Sequence, residues 1–382
     1  MPADPNTATS TAGRIAILVR GLAGGGAQRD AILLANGLAE RGAPSAVVTL
    51  DATGPLRDLI DQRVTLVDLG GGRKLRLAAA IPALRRYLQQ GRPAVFVASE
   101  ASGNAITTLA WRTLLRDQRP KLVLREVASP LQARRTDPYP QNRLGYALAP
   151  WIYPMADLVV ALTEPARRDL VDAFRVPSAK AVCLGTNAVF SAAEYARLVN
   201  APRIVEPGLV VAIGRLSSEK DFATLIEAIA LVRKTRSVKL AIAGDGDERH
   251  ALESLAAARG LADAVEFLGF QPDPTALLLK AAVFVSSSRY EGFGNAIVEA
   301  MAAGATVVAT DAPYGPRAIL QDGRLGTLVP VGDATLLASA IGAALDGPDR
   351  SRELRTHAAA FTAEAAADAL LALFRSRNWG GI

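Results

Sequence analysis

Short apolar runs alternate with amphipathic stretches along the whole chain, and no other feature restricts the fold as much. In the first half, strand-like runs fall at 14–19, 46–49, 64–67, 94–98, 121–125, 158–161 and 181–184. Helical periodicity fits between them, as at 27–40, 75–89 and 143–155. A second series of strand-like runs falls at 208–213, 239–243, 265–268, 282–285, 306–309 and 327–329. Strands separated by crossover-length helices build parallel sheets covered on both faces. The 382 residues suffice for two such domains. The expected α/β architecture is therefore two Rossmann-like domains, over 13–200 and 206–360. The loop Asn200-Ala-Pro-Arg-Ile-Val-Glu-Pro-Gly208, with two prolines, is the expected boundary. Residues 1–12 read as a polar, disordered lead-in. The apolar stretch 361–377 follows the second series and is expected to cross back onto the first domain.

Composition removes several function classes. The single cysteine, Cys183, lies in an apolar run and reads as a core thiol; no intramolecular disulfide and no cysteine metal site can be built. The two histidines, His250 and His357, are too few for a histidine-rich metal centre and poorly placed for a Ser-His-Asp site. No signal peptide is visible, and no apolar run reaches the roughly 20 residues of a spanning helix. The cytosol is the expected compartment, with peripheral attachment to the inner face of the cell membrane open. Residues 1–200 hold 25 Lys+Arg against 16 Asp+Glu, whereas residues 201–382 hold 18 against 21. The basic first half suits an anionic membrane surface or a lipid-phosphate acceptor; ordinary solubilising charge is the alternative. No nucleic-acid motif appears, so nucleic acid is not an expected partner.

Ligands of such sheets bind beyond the carboxyl ends of the strands, so the loops after the strands matter most. The stretch Arg289-Tyr-Glu-Gly-Phe-Gly-Asn-Ala-Ile-Val-Glu299 places Glu291 in a strand-to-helix loop and Glu299 on the following helix. The amides of Gly292, Phe293, Gly294 and Asn295 would open at that helix N-terminus and suit an anion. A diphosphate flanked by hydroxyl-rich rings fits amides beside two carboxylates. After the strand at 208–213, Gly214-Arg-Leu-Ser-Ser-Glu-Lys220 places Arg215 and Lys220 at a helix start, where two cations can neutralise a diphosphate. Gly24, Gly25 and Gly26 follow the first strand, but neither a Walker loop nor a dinucleotide fingerprint is present. Asp245-Gly-Asp247 reads as a glycine turn with helix-capping acids, not as a metal motif. Gly269, Phe270 and Gln271 could offer main-chain groups to a nucleobase.

Together these segments resemble the family 4 glycosyltransferases, a retaining family with the GT-B fold. The matching residues are Gly24-Gly-Gly-Ala-Gln-Arg29, Gly214-Arg-Leu-Ser-Ser-Glu-Lys220, Ala243-Gly-Asp-Gly-Asp-Glu248, Phe267-Leu-Gly-Phe270, Ser286-Ser-Ser-Arg-Tyr-Glu-Gly-Phe-Gly-Asn295 with Glu299-Ala-Met-Ala-Ala-Gly304, and Asp311-Ala-Pro-Tyr-Gly-Pro316. The match is dense in the second half and limited to the glycine loop and layout in the first. The Asp311 loop and the Arg125-Glu126 pair look most like members that build lipopolysaccharide core, O-antigen or lipid-linked glycans. The resemblance implies two sheets facing across an inter-domain cleft. It implies that Arg215 and Lys220 bind the donor diphosphate, that Glu291 binds the transferred sugar, that Glu299 binds the ribose and that Gly214 lies in the donor loop. Gly25 and Gly26 would close over the diphosphate, and Gly269, Phe270 and Gln271 would hold the base. The partners implied are a nucleotide sugar, with UDP favoured, and a glycan or lipid-linked acceptor; no metal or other cofactor is implied. Two departures stand out. The family's Gly-Pro-x-Glu reads Gly315-Pro-Arg-Ala318, and no histidine occurs in residues 1–249. Acceptor-side help is then expected from another group, such as Glu126 or Arg125, or from substrate.

The expected chemistry is front-face transfer, with Arg215, Lys220 and Glu291 as the catalytic set and the leaving phosphate taking the acceptor proton. Glu291 and Glu299 as a glycosidase acid–base couple fit poorly beside a diphosphate. A sugar-nucleotide epimerase on the same fold and a non-catalytic sugar-nucleotide-binding subunit are the alternatives. A nicotinamide oxidoreductase is disfavoured by the missing fingerprint.

Overall fold

A computed structural model describes residues 13–137 and 139–379. Its thirteen strands are β1 Ile15–Val19, β2 Ser45–Thr49, β3 Thr65–Asp68, β4 Val95–Ser99, β5 Lys121–Glu126, β6 Leu158–Ala161, β7 Ala181–Cys183, β8 Leu209–Ile213, β9 Lys239–Ala243, β10 Val265–Gly269, β11 Val283–Ser286, β12 Thr306–Thr310 and β13 Thr327–Val329. The helices are α1 Gly26–Glu40, α2 Leu77–Gly91, α3 Ala101–Arg112, α4 Pro130–Thr136, α5 Pro140–Ile152, α6 Glu164–Asp172, α7 Ala192–Asn200, α8 Phe222–Val232, α9 Arg249–Ala258, α10 Thr275–Lys280, α11 Asn295–Ala303, α12 Gly315–Ile319, α13 Ala334–Leu345, α14 Ser351–Ala358 and α15 Ala363–Ser376. The disordered lead-in expected over 1–12 lies outside the described residues.

The chain divides into two compact units, 1–191 with 362–382 and 192–361. The first holds a seven-stranded parallel sheet in the order β3-β2-β1-β4-β5-β6-β7, the second a six-stranded parallel sheet in the order β10-β9-β8-β11-β12-β13. Strands such as β1 and β4 are buried along their whole length, which explains their unbroken apolar runs: a central parallel strand meets helices on both faces. In each sheet the strand order reverses beside the first strand, between β1 and β4 and between β8 and β11.

Helix α15 belongs to the first unit. Leu370 and Phe374 join Ile17, Ile32 and Leu38 in its core, Ala363 N donates to Phe190 O at 2.7 Å, and Arg41 pairs with Asp368 at 2.7 Å. The boundary differs from the loop expected at 200–208, because it falls before α7. Tyr195 on α7 donates its hydroxyl to Arg355 O at 2.8 Å, and Arg355 Nη1 donates to Val199 O at 2.9 Å. These bonds tie α7 to α14 and carry it into the second unit.

Candidate active site

In the second unit, the loop after β8 and the loop after β11 leave the sheet at its switch point. Lys220 ends the first loop, and its Nζ donates to Glu291 Oε1 at 2.6 Å. Ser288 Oγ donates to the same oxygen at 2.7 Å. The two loops are laced further: Ser287 Oγ donates to Lys220 O at 2.7 Å, and Arg289 N donates to Glu219 O at 2.7 Å. The Lys220 side chain is 20% exposed and that of Glu291 12%. Burial works to lower the Lys220 pKa, but the Glu291 carboxylate overrides it and holds the ammonium above its ordinary value. Arg215 opposes that rise, which places its charge nearby. Arg215 is itself exposed, and among the described residues no carboxylate pairs with it.

Backbone geometry fixes the Glu291 loop. Glu291 forms a parallel bridge with Tyr314, and Gly294, at φ 112°, caps the N-terminus of α11, a conformation glycine adopts at little cost. Gly315 passes so close that a Cβ there would lie 1.4 Å from Phe293 O. The Phe293 ring turns inward onto Phe361, with centroids 5.6 Å apart, so only its backbone faces the loop. Gly292 is half-buried, and Asn295 opens α11, whose first-turn amides point back along the helix axis. Glu299 is half-buried, one turn into α11.

Gly269, Phe270 and Gln271 stand apart from this cluster. Gly269 ends β10 and the other two follow it, two strands outward from β8, which is about 10 Å by strand spacing. Gly269 O accepts from Gly244 N at 2.8 Å, and Gln271 Nε2 donates to Leu268 O at 3.0 Å. The Phe270 ring is 76% exposed. Gly214 is half-buried against the Lys220 stem, its absent Cβ 3.4 Å from Lys220 Cε. Asp245 does not cap α9 as expected; its carboxylate accepts from Gly246 N at 2.8 Å, and Glu248 precedes the helix without a side-chain cap. Among the described residues no group of three His, Cys, Asp or Glu stands together to hold a metal ion. A surface cavity lined by Arg324, Arg350, Glu353 and His357 involves none of these loops.

The first unit corrects one expectation and adds a cluster. Arg125 and Glu126 are 2% and 1% exposed, so neither side chain stands on a ligand-facing surface. Arg125 Nη2 donates to Asn187 Oδ1, whose amide in turn donates to Asp30 at 2.8 Å. Glu126 accepts from Tyr146 at 2.8 Å and from Tyr153 at 3.0 Å. Burial pushes its pKa up to about 7 against those hydrogen bonds. The two residues end β5, and the helices that cover the sheet seal them in.

The cluster that sequence reasoning missed is Arg20, Gln28 and Glu100, at the β1/β4 switch point. Arg20 Nε donates to Glu100 Oε2, and Gln28 Nε2 donates to Glu100 Oε1 at 3.2 Å. Both charged side chains are 16% exposed. Glu100 has φ 64° and ψ 144°, close to a region that glycine alone occupies freely. Gln28 lies over the glycine loop: a Cβ on Gly25 would meet its Oε1 at 2.2 Å. Gly25 caps α1 and Gly26 is its first residue.

The model described as Glycosyltransferase Family 4 matches residues 24–185, and that described as Glycosyl transferases group 1 matches residues 199–361. The chain belongs to the family 4 glycosyltransferases. It is 38% identical over 174 residues to the lipopolysaccharide core biosynthesis glycosyltransferase LpsE of Rhizobium meliloti, covering 44% of this chain and 50% of that protein. It is 31% identical over 180 residues to the N-acetylgalactosamine-N,N'-diacetylbacillosaminyl-diphospho-undecaprenol 4-alpha-N-acetylgalactosaminyltransferase of Campylobacter jejuni, covering 47% and 48%. The match thus spans about half the length of these curated relatives. Among solved structures, HepE from Anabaena in complex with UDP-glucose superposes with a TM-score of 0.71 at 20% identity, covering 95% of this chain and 99% of that one. That likeness shows the shared GT-B fold. Within this family 4 chain, the signal that could have exposed Glu100 is its place, one residue beyond a fully buried strand and directly before a helix.

Proposed function

We propose that the protein transfers a hexose-type sugar from a UDP-sugar to a glycan or lipid-linked acceptor, with retention of anomeric configuration and without a metal, in lipopolysaccharide or other cell-surface polysaccharide synthesis. The observation that carries this reading is the Lys220–Glu291 pair at the β8/β11 switch point. It sets a cation for a phosphate and a carboxylate for sugar hydroxyls within one hydrogen bond of each other. Arg215, exposed beside it, supplies the second charge on the diphosphate. The amides from Gly292 to Asn295, leading into α11, support the sugar and phosphate, Glu299 the ribose, and the Phe270 ring offers a face to the base. The biosynthetic setting follows the named activities of the Rhizobium and Campylobacter relatives, and the uridine follows the UDP-glucose bound by HepE.

In the proposed step, the bond between the anomeric carbon and the phosphate oxygen breaks as the acceptor oxygen bonds the same face of that carbon. The acceptor proton passes to the departing phosphate oxygen, so atoms and charge balance with no protein nucleophile. Arg215 and Lys220 stabilise the charge that develops on the diphosphate. With Arg125 and Glu126 buried, Arg20, Gln28 and Glu100 take over the acceptor side: a carboxylate held between two donors suits a sugar hydroxyl. A thermal-shift screen across UDP-, GDP- and ADP-sugars tests the donor, because a ligand stabilises the native state according to its occupancy. The largest shift is expected with a UDP-sugar. Shifts no larger than with free sugars would contradict the reading, and a donor-only incubation that yields an epimer would replace transfer by epimerisation.

A further inference from the structure

We propose that the outer face of α5 is a docking surface for an anionic lipid bilayer. Helix α5 and the turn after it carry two apolar stripes. Gly145, Tyr146, Ala149 and Ile152 are buried in the first unit. Leu144, Leu148, Trp151 and Met155 form a second stripe, spaced by three or four residues, and lie 61%, 37%, 60% and 42% exposed. A surface helix normally turns a polar stripe outward. This one turns large apolar side chains outward on the same unit that holds the Arg20–Glu100 cluster.

The charge around the stripe selects the occupant. Arg134, Arg135 and Arg143 are all exposed. The only acid between 127 and 156 is Asp137, whose carboxylate accepts from Asn142 at 3.2 Å and from Tyr139 N at 2.8 Å. Tyr139, 48% exposed, opens the helix and Trp151 stands near its other end. Aromatic rings with one polar edge settle at the level of lipid headgroups, and arginines attract anionic ones. A second copy of this chain fits poorly, because a two-fold contact through this stripe would set arginines against arginines. Among the described residues no helix is long and apolar enough to cross a membrane, so this contact would be interfacial. The inference rests on the lipid-linked acceptor proposed above and deepens it, since such an acceptor lies at that surface.

Vesicle flotation tests the surface without passing through transfer, so its failure and that of the transfer reading are distinguishable. The intact chain is mixed with phosphatidylcholine vesicles, with and without phosphatidylglycerol. Binding is expected with phosphatidylglycerol and at least tenfold weaker without it or in high salt. Leu148→Ser with Trp151→Ser, and separately Arg134→Glu with Arg143→Glu, should each weaken it about tenfold or more. Brominated acyl chains should quench tryptophan fluorescence in the wild type and much less in Trp151→Phe, because Trp111 is buried and Trp379 is half-buried and stacked on Phe374, away from α5 in sequence. The altered side chains are exposed, so thermal melts should match the wild type and confirm folding. Absent flotation, flotation indifferent to these substitutions, or a dimer broken by Trp151→Ser would each overturn the proposal.

Discussion

Lys220 and Glu291 lie 71 residues apart in sequence, yet their side chains meet at 2.6 Å where the second sheet reverses strand order. The sheet topology makes the pair. β8 and β11 are neighbours although two strands and their helices separate them in sequence, so the loops that follow them emerge side by side. Each partner is mostly buried and holds the other's charge in place. On the proposed reading, a donor bound there would meet preset charges, leaving little reorganisation for the transition state.

Removing either partner should therefore cost both stability and turnover. Lys220→Ala and Glu291→Gln are each expected to lower kcat about 100- to 1,000-fold, the range for losing one preorganised group on developing charge. A double-mutant cycle on unfolding free energy should show coupling of about 1–3 kcal/mol, because the two groups share one hydrogen bond. Transfer assays and urea melts of the single and double variants check this.

Glu100 offers a reading of backbone strain. At φ 64° it holds a conformation that costs a side-chain-bearing residue about 1–3 kcal/mol. Glu100→Gly and Glu100→Ala lose the same carboxylate, so their difference isolates the backbone. Glu100→Gly should be the more stable by about 1–2 kcal/mol, reversing the order expected beside a helix. Both should raise KM for the acceptor more than KM for the donor. Equilibrium unfolding and steady-state kinetics on the two variants decide it.

Glu126 predicts a pH dependence. Its pKa is about 7 in the folded chain and about 4.3 when exposed. Between those values the native state holds a proton that the unfolded chain has released, so stability from this residue falls as pH rises from about 4.3 to 7. The total change is about 3–4 kcal/mol, at roughly 1.4 kcal/mol per pK unit. Glu126→Gln removes the titration; its oxygen can accept from Tyr146 and Ala128 N, while its NH2 donates to Tyr153 once that hydroxyl turns to accept, so the difference between wild-type and variant stability should slope across that window and flatten above it. Urea titrations at several pH values measure it.

Gly315→Ala should disturb the Glu291 loop from outside it. The new Cβ would fall on the Phe293 carbonyl, which is backbone and cannot swing aside. Overpacking of this kind costs about 1–3 kcal/mol or more, and the shift would pass directly to Glu291 through its bridge with Tyr314. Loss of donor binding with the first unit still folded, read by limited proteolysis, is the expected outcome.

Much of the fold was legible in the sequence because parallel strands buried on both faces leave apolar runs with little polar interruption. β8, β9 and β11 were each placed within a residue or two of their observed limits. The loops proposed to hold the donor stood out because glycines and charges cluster in short segments with recognisable order, as in Gly214–Lys220 and Glu291–Asn295. The first unit resisted for physical reasons. Arg125 and Glu126 look like surface charges, since such residues are seldom buried, and only their hydrogen-bond partners on α5 and beyond β7 explain their burial. Glu100 carries its signal in a backbone torsion, which no residue type announces. The two prolines near 205 mark a loop, whereas the division by contacts falls before α7, where the bonds to Arg355 join that helix to α14.

The central claim is that Lys220 holds the diphosphate and Glu291 the sugar of one donor. Isothermal titration of UDP and of the UDP-sugar selected by the screen, against wild type, Lys220→Ala and Glu291→Gln, tests it most directly. The account predicts that Lys220→Ala weakens both ligands tenfold or more. Glu291→Gln should leave UDP nearly unchanged and erase the added affinity of the UDP-sugar. UDP binding to Lys220→Ala as tight as to the wild type would contradict it.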